Sequence, residues 1–328
     1  MEIIFFGSSN FAVSILEAII SSGYELACVV TQPDRKAGRH LKIALTPVKS
    51  YCQTHNISIF QPEDLKAEEV RGYLKKFVAD LFIVVSYGKI IPKEILDLPK
   101  IFSVNIHTSL LPKYRGAAPI NRAIMNGEKE TGISIIRMNE FMDRGDIILQ
   151  KPVALSDEFD AQSLSASLAE AAKEAIIEAI GLIKNKKYSL RKQSEQEATY
   201  ASKLTKEDGV IDWGKSRKVI FNQVRGLVPW PGAYTYLSGK ILKVWQAHYT
   251  DFNKPEGSGL ASFSQSRNLK PGRIPKIGEV INITGEGIIV CCGSGFLFLK
   301  EVQPASGKRM SAYDFAMGHR IKKGDRLG

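Results

Sequence analysis

The sequence predicts an α/β protein in two parts, a doubly wound, mostly parallel sheet followed by a small antiparallel barrel. Three observations carry that expectation. The first half alternates short β-branched or aromatic runs with helix-like segments, and near-continuous apolar strands of this kind are the ones a parallel sheet buries on both faces. The last third changes to many short strands split by turns at about 8- to 12-residue spacing, the pattern of a small closed barrel of the OB type. Between them lies a polar stretch with no hydrophobic period. At 328 residues the chain is also long for one compact unit, since domains run to about 100–200 residues.

Taken in order, the expected strands are EIIFF (2–6), ELACVVT (25–31), DLFIVVSY (80–87), FSVNIH (102–107) and GISIIRM (132–138), with helix-like segments between most of them. DAQSLSASLAEAAKEAIIEAIGLIKNKK (160–187) has the apolar spacing of one long amphipathic helix closing the first domain. KKYSLRKQSEQEAT (186–199) has neither period and reads as a linker. The expected division is residues 1–187 as the first domain, 188–204 as the linker and 205–328 as the barrel. Within the barrel, Ser238-Gly239 between AYTYL and KILKVWQAHYT is a hairpin signal, and residues 251–276, rich in Ser, Gly, Pro and basic side chains, read as a long barrel loop.

The formal charge of +11 is unevenly spread: residues 1–200 carry 25 Lys and Arg against 24 Asp and Glu, whereas residues 201–328 carry 20 against 10. A basic half beside a neutral half points to a polyanionic partner, nucleic acid ahead of membrane because no amphipathic basic helix stands out. The plainer alternative is a merely soluble basic surface. MEIIFFGSSN has no basic region and too short an apolar run for a secretory signal, and no apolar stretch approaches the ~20 residues of a membrane span, so a cytoplasmic protein is expected. Cys28, Cys52, Cys291 and Cys292 show no CxxC spacing, so neither zinc nor a disulfide framework is suggested, and reduced thiols are expected.

FFGSSNFA is a strand, a glycine turn and a helix start, where a dinucleotide fold puts its phosphates. Only Gly7 is present rather than GxGxxG, no acidic residue follows at the expected distance, and GxxxxGK is absent, so NAD and P-loop nucleotides are rejected. Gly7 itself stays open between a structural and a ligand-facing role. TQPDRKAGRHLKIALTPVK (31–49) is longer than a parallel crossover needs and carries Arg35, Lys36, Arg39 and Lys42 before Pro47 ends it. By itself that is a solvated basic loop.

The chemistry concentrates in NIHTSLLPKYRGAAPI (105–120). Burying an unpaired amide or imidazole costs on the order of 1–3 kcal/mol, so polar groups that end an apolar strand need partners or a job. Asn105 and His107, two residues apart on one strand, leave it on the same face and can share one substrate atom. A neutral imidazole moves a proton near pH 7, and a carboxamide N–H can donate to a developing oxyanion. A hydrogen-bonded structural pair is the alternative. A carboxylate would hold the imidazole's tautomer, and RMNEFMDRGDIILQ (137–150) offers Asp143 and Asp146 in a glycine turn whose two strands are expected to open onto the same sheet edge. Asp146, beside Gly145, can instead cap the turn, so Asp143 is the candidate. Arg115 is open between a substrate or phosphate contact and a carboxylate partner, and Pro119 suits the first position of a helix. His40, His55, His248 and His319 lack metal spacing. Trp213, Trp230 and Trp245 can stack bases, with barrel-core packing the favoured reading.

These residues carry a resemblance. NIHTSLLPKYRGAAPI with the MDRGD turn resembles the formyltransferase family that uses formyl-tetrahydrofolate. IIFFGSSNFA, the 31–49 stretch, YASKLTKEDGVIDW (200–213) and QVRGLVPWPGAYTYLSGKILKV (223–244) extend the resemblance along essentially the whole chain, to the branch of that family that formylates methionyl-tRNA. It implies a Rossmann-like catalytic domain with catalytic roles for Asn105, His107 and Asp143. It also implies a folate-contacting turn at Ser109, Leu110, Leu111 and Pro112, with 10-formyltetrahydrofolate as co-substrate and no metal. The implied partner is initiator Met-tRNA, whose acceptor end the 31–49 loop enters through Arg39, with Arg35 and Lys42 beside it. The family commonly shows GRGKK where this chain has GRHLK. A monomer is expected. A folate-dependent formyltransferase acting on an amino-sugar nucleotide is the second reading, against which the long basic loop and the basic second half favour tRNA. A third is an RNA-binding protein with an inactive site, which the Asn105, His107 and Asp143 set opposes. Glycinamide ribonucleotide transformylase leaves residues 200–328 unexplained.

Overall fold

The computed structural model describes residues 1–37, 42–249 and 274–328. The chain divides into two compact units. One comprises Met1–Arg122, Lys129–Asp157 and Ser163–Lys203, the other Ala123–Glu128, Glu158–Gln162 and Leu204–Gly328.

The first unit is built on a seven-stranded sheet in the spatial order Ile147–Ala154, Glu130–Arg137, Phe102–His107, Leu81–Val85, Glu2–Gly7, Glu25–Val30, Ile59–Phe60. The last five run parallel, and the two at the opposite edge are antiparallel. Ile3, Ile4, Phe5 and Phe6 are all buried, because the central strand is covered on both faces and any polar residue there would strand a group in the core. Ile4 and Phe6 pack with Val70, Leu74, Ile95 and Leu96. The helix Asn10–Ser21, capped by the Ser9 side chain that accepts from Ala12 N, buries Ala12, Ile15, Leu16 and Ile19. A Cβ on Gly7 would lie 2.6 Å from Phe5 Cε1 and 2.7 Å from Ala12 Cβ, so that glycine serves the close packing of strand on helix. The long helix expected over 160–187 spans Ala161–Lys184.

Strand order reverses between Glu2–Gly7 and Leu81–Val85, and open α/β sheets bind ligands outside the carboxyl ends of strands at such a point. The antiparallel strand changes one expectation. Its register sets His107 opposite Ser134 and Val104 opposite Arg137, so the chain leaves it beside Ser103, where Met138 N donates to Ser103 O at 2.8 Å. The 138–146 turn therefore opens at the edge away from His107 and folds back along the sheet face to reach it. The polar stretch read as a linker is also engaged: Ile147 and Arg191 form a bridge, and Tyr200–Ala201 pairs in parallel with Arg115–Gly116.

The second unit carries a six-stranded antiparallel sheet in the order Ala233–Leu237, Lys240–His248, Phe296–Pro304, Gly287–Cys291, Val280–Thr284, with Met310–Ser311 against Phe296–Pro304. Its core gathers Ile220 and Val224 from the helix Arg217–Gly226 and Phe315 from the helix Ala312–Gly318 around Val244, Val290 and Leu299. Ser238 and Gly239, at φ 49° and 76°, make the expected two-residue hairpin turn, with Leu237 opposite Lys240. Trp213 belongs to the core and donates Nε1–H to Thr235 Oγ1 at 2.9 Å. Trp230 is 51% exposed, against the expectation of core packing. Trp245 is half-buried under the Arg309 guanidinium, 4.0 Å from its ring centroid. Most of the 251–276 loop lies outside the described residues. Among the described residues no helix is long and apolar enough to cross a membrane.

Candidate active site

Asn105 and His107 end the strand Phe102–His107 on one face, over a cavity of ≈ 510 Å³. Its walls are the loop after Leu81–Val85 (Tyr87 to Ile91), the apolar Val84, Leu96 and Ile136, and the returning turn from Met138 to Asp143. Such a volume suits a small organic ligand. Ile90, Phe141 and Met142 are exposed apolar residues on the same cavity.

The structure brings the three predicted groups together. Asp143 Oδ1 lies 3.6 Å from His107 Nδ1 and 3.4 Å from Asn105 Nδ2, while Oδ2 accepts from Gly116 N at 2.9 Å. His107 Nε2 is 2.9 Å from Tyr114 O. A carbonyl can only accept, so Nε2 carries the proton and, in the neutral ring, Nδ1 presents its lone pair toward the carboxylate. A proton arriving at Nδ1 would face the carboxylate across 3.6 Å. Asn105 spends one N–H on Asp143 and has a second to offer a ligand. Asp146 does not line this cavity, and its backbone carbonyl accepts from Arg137 N at 2.8 Å to close the turn.

Local sequence explains how the turn is held. Asp143 has φ 55°, the left-handed region that Asp tolerates at a cost and that clusters at functional sites. Asn139 Oδ1 accepts from Phe141 N at 3.0 Å, and a Cβ on Gly145 would run into the Arg137 carbonyl, so only glycine allows the two ends of the turn to meet. Gly116, at φ 121°, lets its backbone approach Ala201 O, where a Cβ would come within 2.6 Å.

Arg115 resolves toward the carboxylate reading. It is 1% exposed and makes a fork to Glu195, Nη1 to Oε2 at 3.0 Å and Nη2 to Oε1 at 2.9 Å. That hydrogen-bonded pairing holds the guanidinium above and the Glu195 carboxyl below their ordinary ranges. Sequence reasoning missed this arrangement, and the only signal was negative: a stretch with no period that nonetheless carried Gln193 and Glu195.

The Ser109–Pro112 turn sits differently from the catalytic trio. Ser109 and Leu111 are buried, Leu110 and Pro112 are half-buried, and the cavity lining passes from Thr108 to Gly116 without them. The turn is fixed from beneath by Ser134, which accepts from Leu111 N (3.0 Å) and donates to Ser109 O (2.7 Å). Gln150 Nε2 reaches both Ser134 Oγ (2.8 Å) and Leu111 O (2.9 Å). His107, Ser134 and Gln150 are register partners across three strands, so one row of the sheet carries the histidine and the two side chains that hold the turn.

Of the basic loop, Arg35 is exposed on the short strand Arg35–Ala37, which pairs with Lys42–Ala44, and Arg39 lies outside the described residues. The loop's base is tied by Lys49 Nζ to Asp34 Oδ2 at 2.6 Å, Gln61 Nε2 to Asp34 Oδ1 at 3.0 Å and the Thr31–Thr46 hydroxyl contact at 2.8 Å. Lys49 and Gln61 hold the Asp34 carboxyl below its ordinary value. Pro47 opens the helix Pro47–Thr54 behind the Thr46 cap. No group of three or more His, Cys, Asp or Glu that could hold a metal ion occurs among the described residues.

Comparison with known proteins shows the family. Residues 1–180 match the family model "Formyl transferase" and residues 203–320 match "Formyl transferase, C-terminal domain". The chain is 40% identical to the methionyl-tRNA formyltransferase of Acetivibrio thermocellus over 328 residues, covering 100% of both chains. It is 40% identical to that of Caldanaerobacter subterraneus subsp. tengcongensis, covering 99% of each. Among solved structures, the sugar 3N-formyltransferase WlaRD superposes with a TM-score of 0.64 at 20% identity over 94% of this chain and 99% of that one. HypX from Aquifex aeolicus in complex with tetrahydrofolic acid gives 0.63 at 16% identity over 99% of this chain and 50% of that one. At those identities the structural likeness speaks to fold.

Proposed function

The chain belongs to the methionyl-tRNA formyltransferase family, and from that premise we propose that it moves the formyl group of 10-formyltetrahydrofolate to the amino group of methionine on initiator Met-tRNA. It acts as a cytoplasmic monomer. The observation that carries the site assignment is the meeting of Asn105, His107 and Asp143 at the polar end of the 510 Å³ cavity. The apolar walls suit the flat ring system of the donor, and the Ser109–Pro112 turn, continuing from the cavity-lining Thr108, takes the part that extends beyond it.

The donor supplies an activated formyl carbon, and the chain's residues handle the charge and the proton. Attack by the neutral amine puts negative charge on the formyl oxygen, to which the second N–H of Asn105 donates. The attacking nitrogen becomes an ammonium and must lose a proton, and His107 Nδ1 is the basic atom on the cavity. Nε2 stays pinned to Tyr114 O, so the ring does not change orientation as it charges. Asp143, 3.6 Å away, faces the imidazolium that forms, and the same Nδ1–H can return its proton to the departing folate nitrogen. Gly116 N keeps the carboxylate aimed throughout.

Arg39, Lys42 and Arg35 are assigned to the acceptor end of the tRNA. The 20 cations against 10 anions of residues 201–328 supply the phosphate contacts. The test offers one formyl donor and three acceptors: initiator Met-tRNA, elongator Met-tRNA and an amino-sugar nucleotide. Product confined to methionyl-tRNA, with the initiator preferred, is expected. Transfer to the sugar nucleotide alone would replace this reading with the second one.

A further inference from the structure

The residues that touch the reacting atoms account for only part of the polar network around Asp143. The rest comes from Gly116 N and from the stretch 191–199. Gln193 Nε2 donates to two main-chain carbonyls of the catalytic turn, Asp143 O at 2.8 Å and Gly145 O at 2.7 Å. Its Oε1 accepts from Arg115 Nε at 3.0 Å and Nη2 at 2.9 Å. All four hydrogen bonds fix the amide's orientation, since the guanidinium can only donate and the carbonyls can only accept. Arg115, buried and forked to Glu195, is the post on which this arm is mounted. The partners lie 48 to 80 positions apart in sequence, so this grip is added from a distance to the turn's own local bonds.

A turn with a non-glycine residue at φ 55° persists only where its surroundings over-determine it. Here the carboxylate end of Asp143 is held by Gly116 N, and its main chain by Gln193. We infer that Gln193 is a positioning residue for formyl transfer, setting the height of Asp143 against His107 Nδ1 by holding the carbonyls on either side of Arg144, with Arg115 and Glu195 as its anchor. Gln193 touches neither substrate in this account. It acts through Asp143, and the inference therefore rests on the proposed role of that carboxylate.

Two substitutions separate holding the turn from holding Arg115. Gln193→Glu keeps an oxygen for Arg115 and strengthens that pairing, but it turns acceptor toward acceptor at Asp143 O and Gly145 O. Gln193→Ala removes both sides. If the turn is what matters, both variants lose kcat by roughly 10- to 100-fold while KM for donor and tRNA stays within about threefold, the signature of misplaced chemistry rather than lost binding. In an Asp143→Asn background, Gln193→Ala should add less than about threefold, because the group it positions is already disabled. Wild-type kcat in Gln193→Glu, or a full multiplicative loss on top of Asp143→Asn, would overturn the inference. Wild-type turnover in Asp143→Asn alone would overturn the reading beneath it. Thermal unfolding of both variants checks the fold, and Gln193→Glu, which retains the Arg115 contact, keeps the test decisive if Gln193→Ala proves unstable.

Discussion

Ser134→Ala is the most informative single change outside the catalytic trio. Ser134 is 0% exposed, and its hydroxyl serves Leu111 N–H, Ser109 C=O and the Gln150 amide at 2.7 to 3.0 Å. Alanine strands a main-chain donor and a main-chain acceptor in the interior, at about 1–2 kcal/mol each, whereas Gln150 keeps its bond to Leu111 O. The oxygen's departure leaves too little room for a water with three partners, so no solvent repair is expected. The loss should be about 2–4 kcal/mol in urea unfolding followed by circular dichroism. KM for the formyl donor should rise at least about threefold as the Ser109–Pro112 turn loosens, with KM for tRNA unchanged. A loss below about 0.5 kcal/mol with an unaltered donor KM would refute both the energetic reasoning and the donor role of the turn.

Asn105→Ala, which removes the oxyanion donor, should lower kcat by roughly 10²- to 10³-fold in a formyl-transfer assay with little change in KM. Gly145→Ala forces the Arg137 carbonyl aside and should cost about 2 kcal/mol or more in thermal or urea unfolding, together with most of the activity. Binding of Met-tRNA measured by filter retention should weaken steeply between about 50 and 200 mM salt, and donor binding should not. Burial, with the neighbouring Cys52, pushes the Cys28 thiol up from 9.0 to about 12, and burial takes Cys52 up to about 11. The folded chain thus retains protons that the unfolded chain releases, so stability is fully present below pH 9 and falls as pH rises from about 9 toward 12. Urea midpoints at about pH 8 and pH 10.5 should show that fall, with a shallower slope in Cys28→Ala.

The strands of the first unit were legible because each is a nearly unbroken apolar run, and burial on both faces demands that. Asn105 and His107 were legible because polar groups at the end of such a run stand out, and the spacing of two puts them on one face. Asp143 was preferred to Asp146 because Asp146, beside Gly145, could cap the turn; the bond that closes it is made by the Asp146 main-chain carbonyl, which no side chain announces. The direction from which the carboxylate arrives was not legible. An alternating apolar run does not declare whether it is parallel or antiparallel, and only the register opposite Phe102–His107 shows that the turn must fold back. The grip of 191–199 was invisible for a different reason. Its side chains bond main-chain atoms and a buried arginine far away in sequence, which leaves no periodicity to detect. Likewise, nothing in the sequence around Trp230 signalled that the residue would stand 51% exposed.

The central claim is that Asn105, His107 and Asp143 transfer a formyl group to methionyl-tRNA, and single-turnover formation of formylmethionyl-tRNA tests it most directly. Wild-type protein and His107→Ala are each mixed with formyl-tetrahydrofolate and initiator Met-tRNA at saturating protein, after donor binding has been measured for both. Rapid formation of product by the wild type, slowed at least about 100-fold in the variant with donor binding intact, is the predicted result. Equal single-turnover rates in the two proteins would contradict the account.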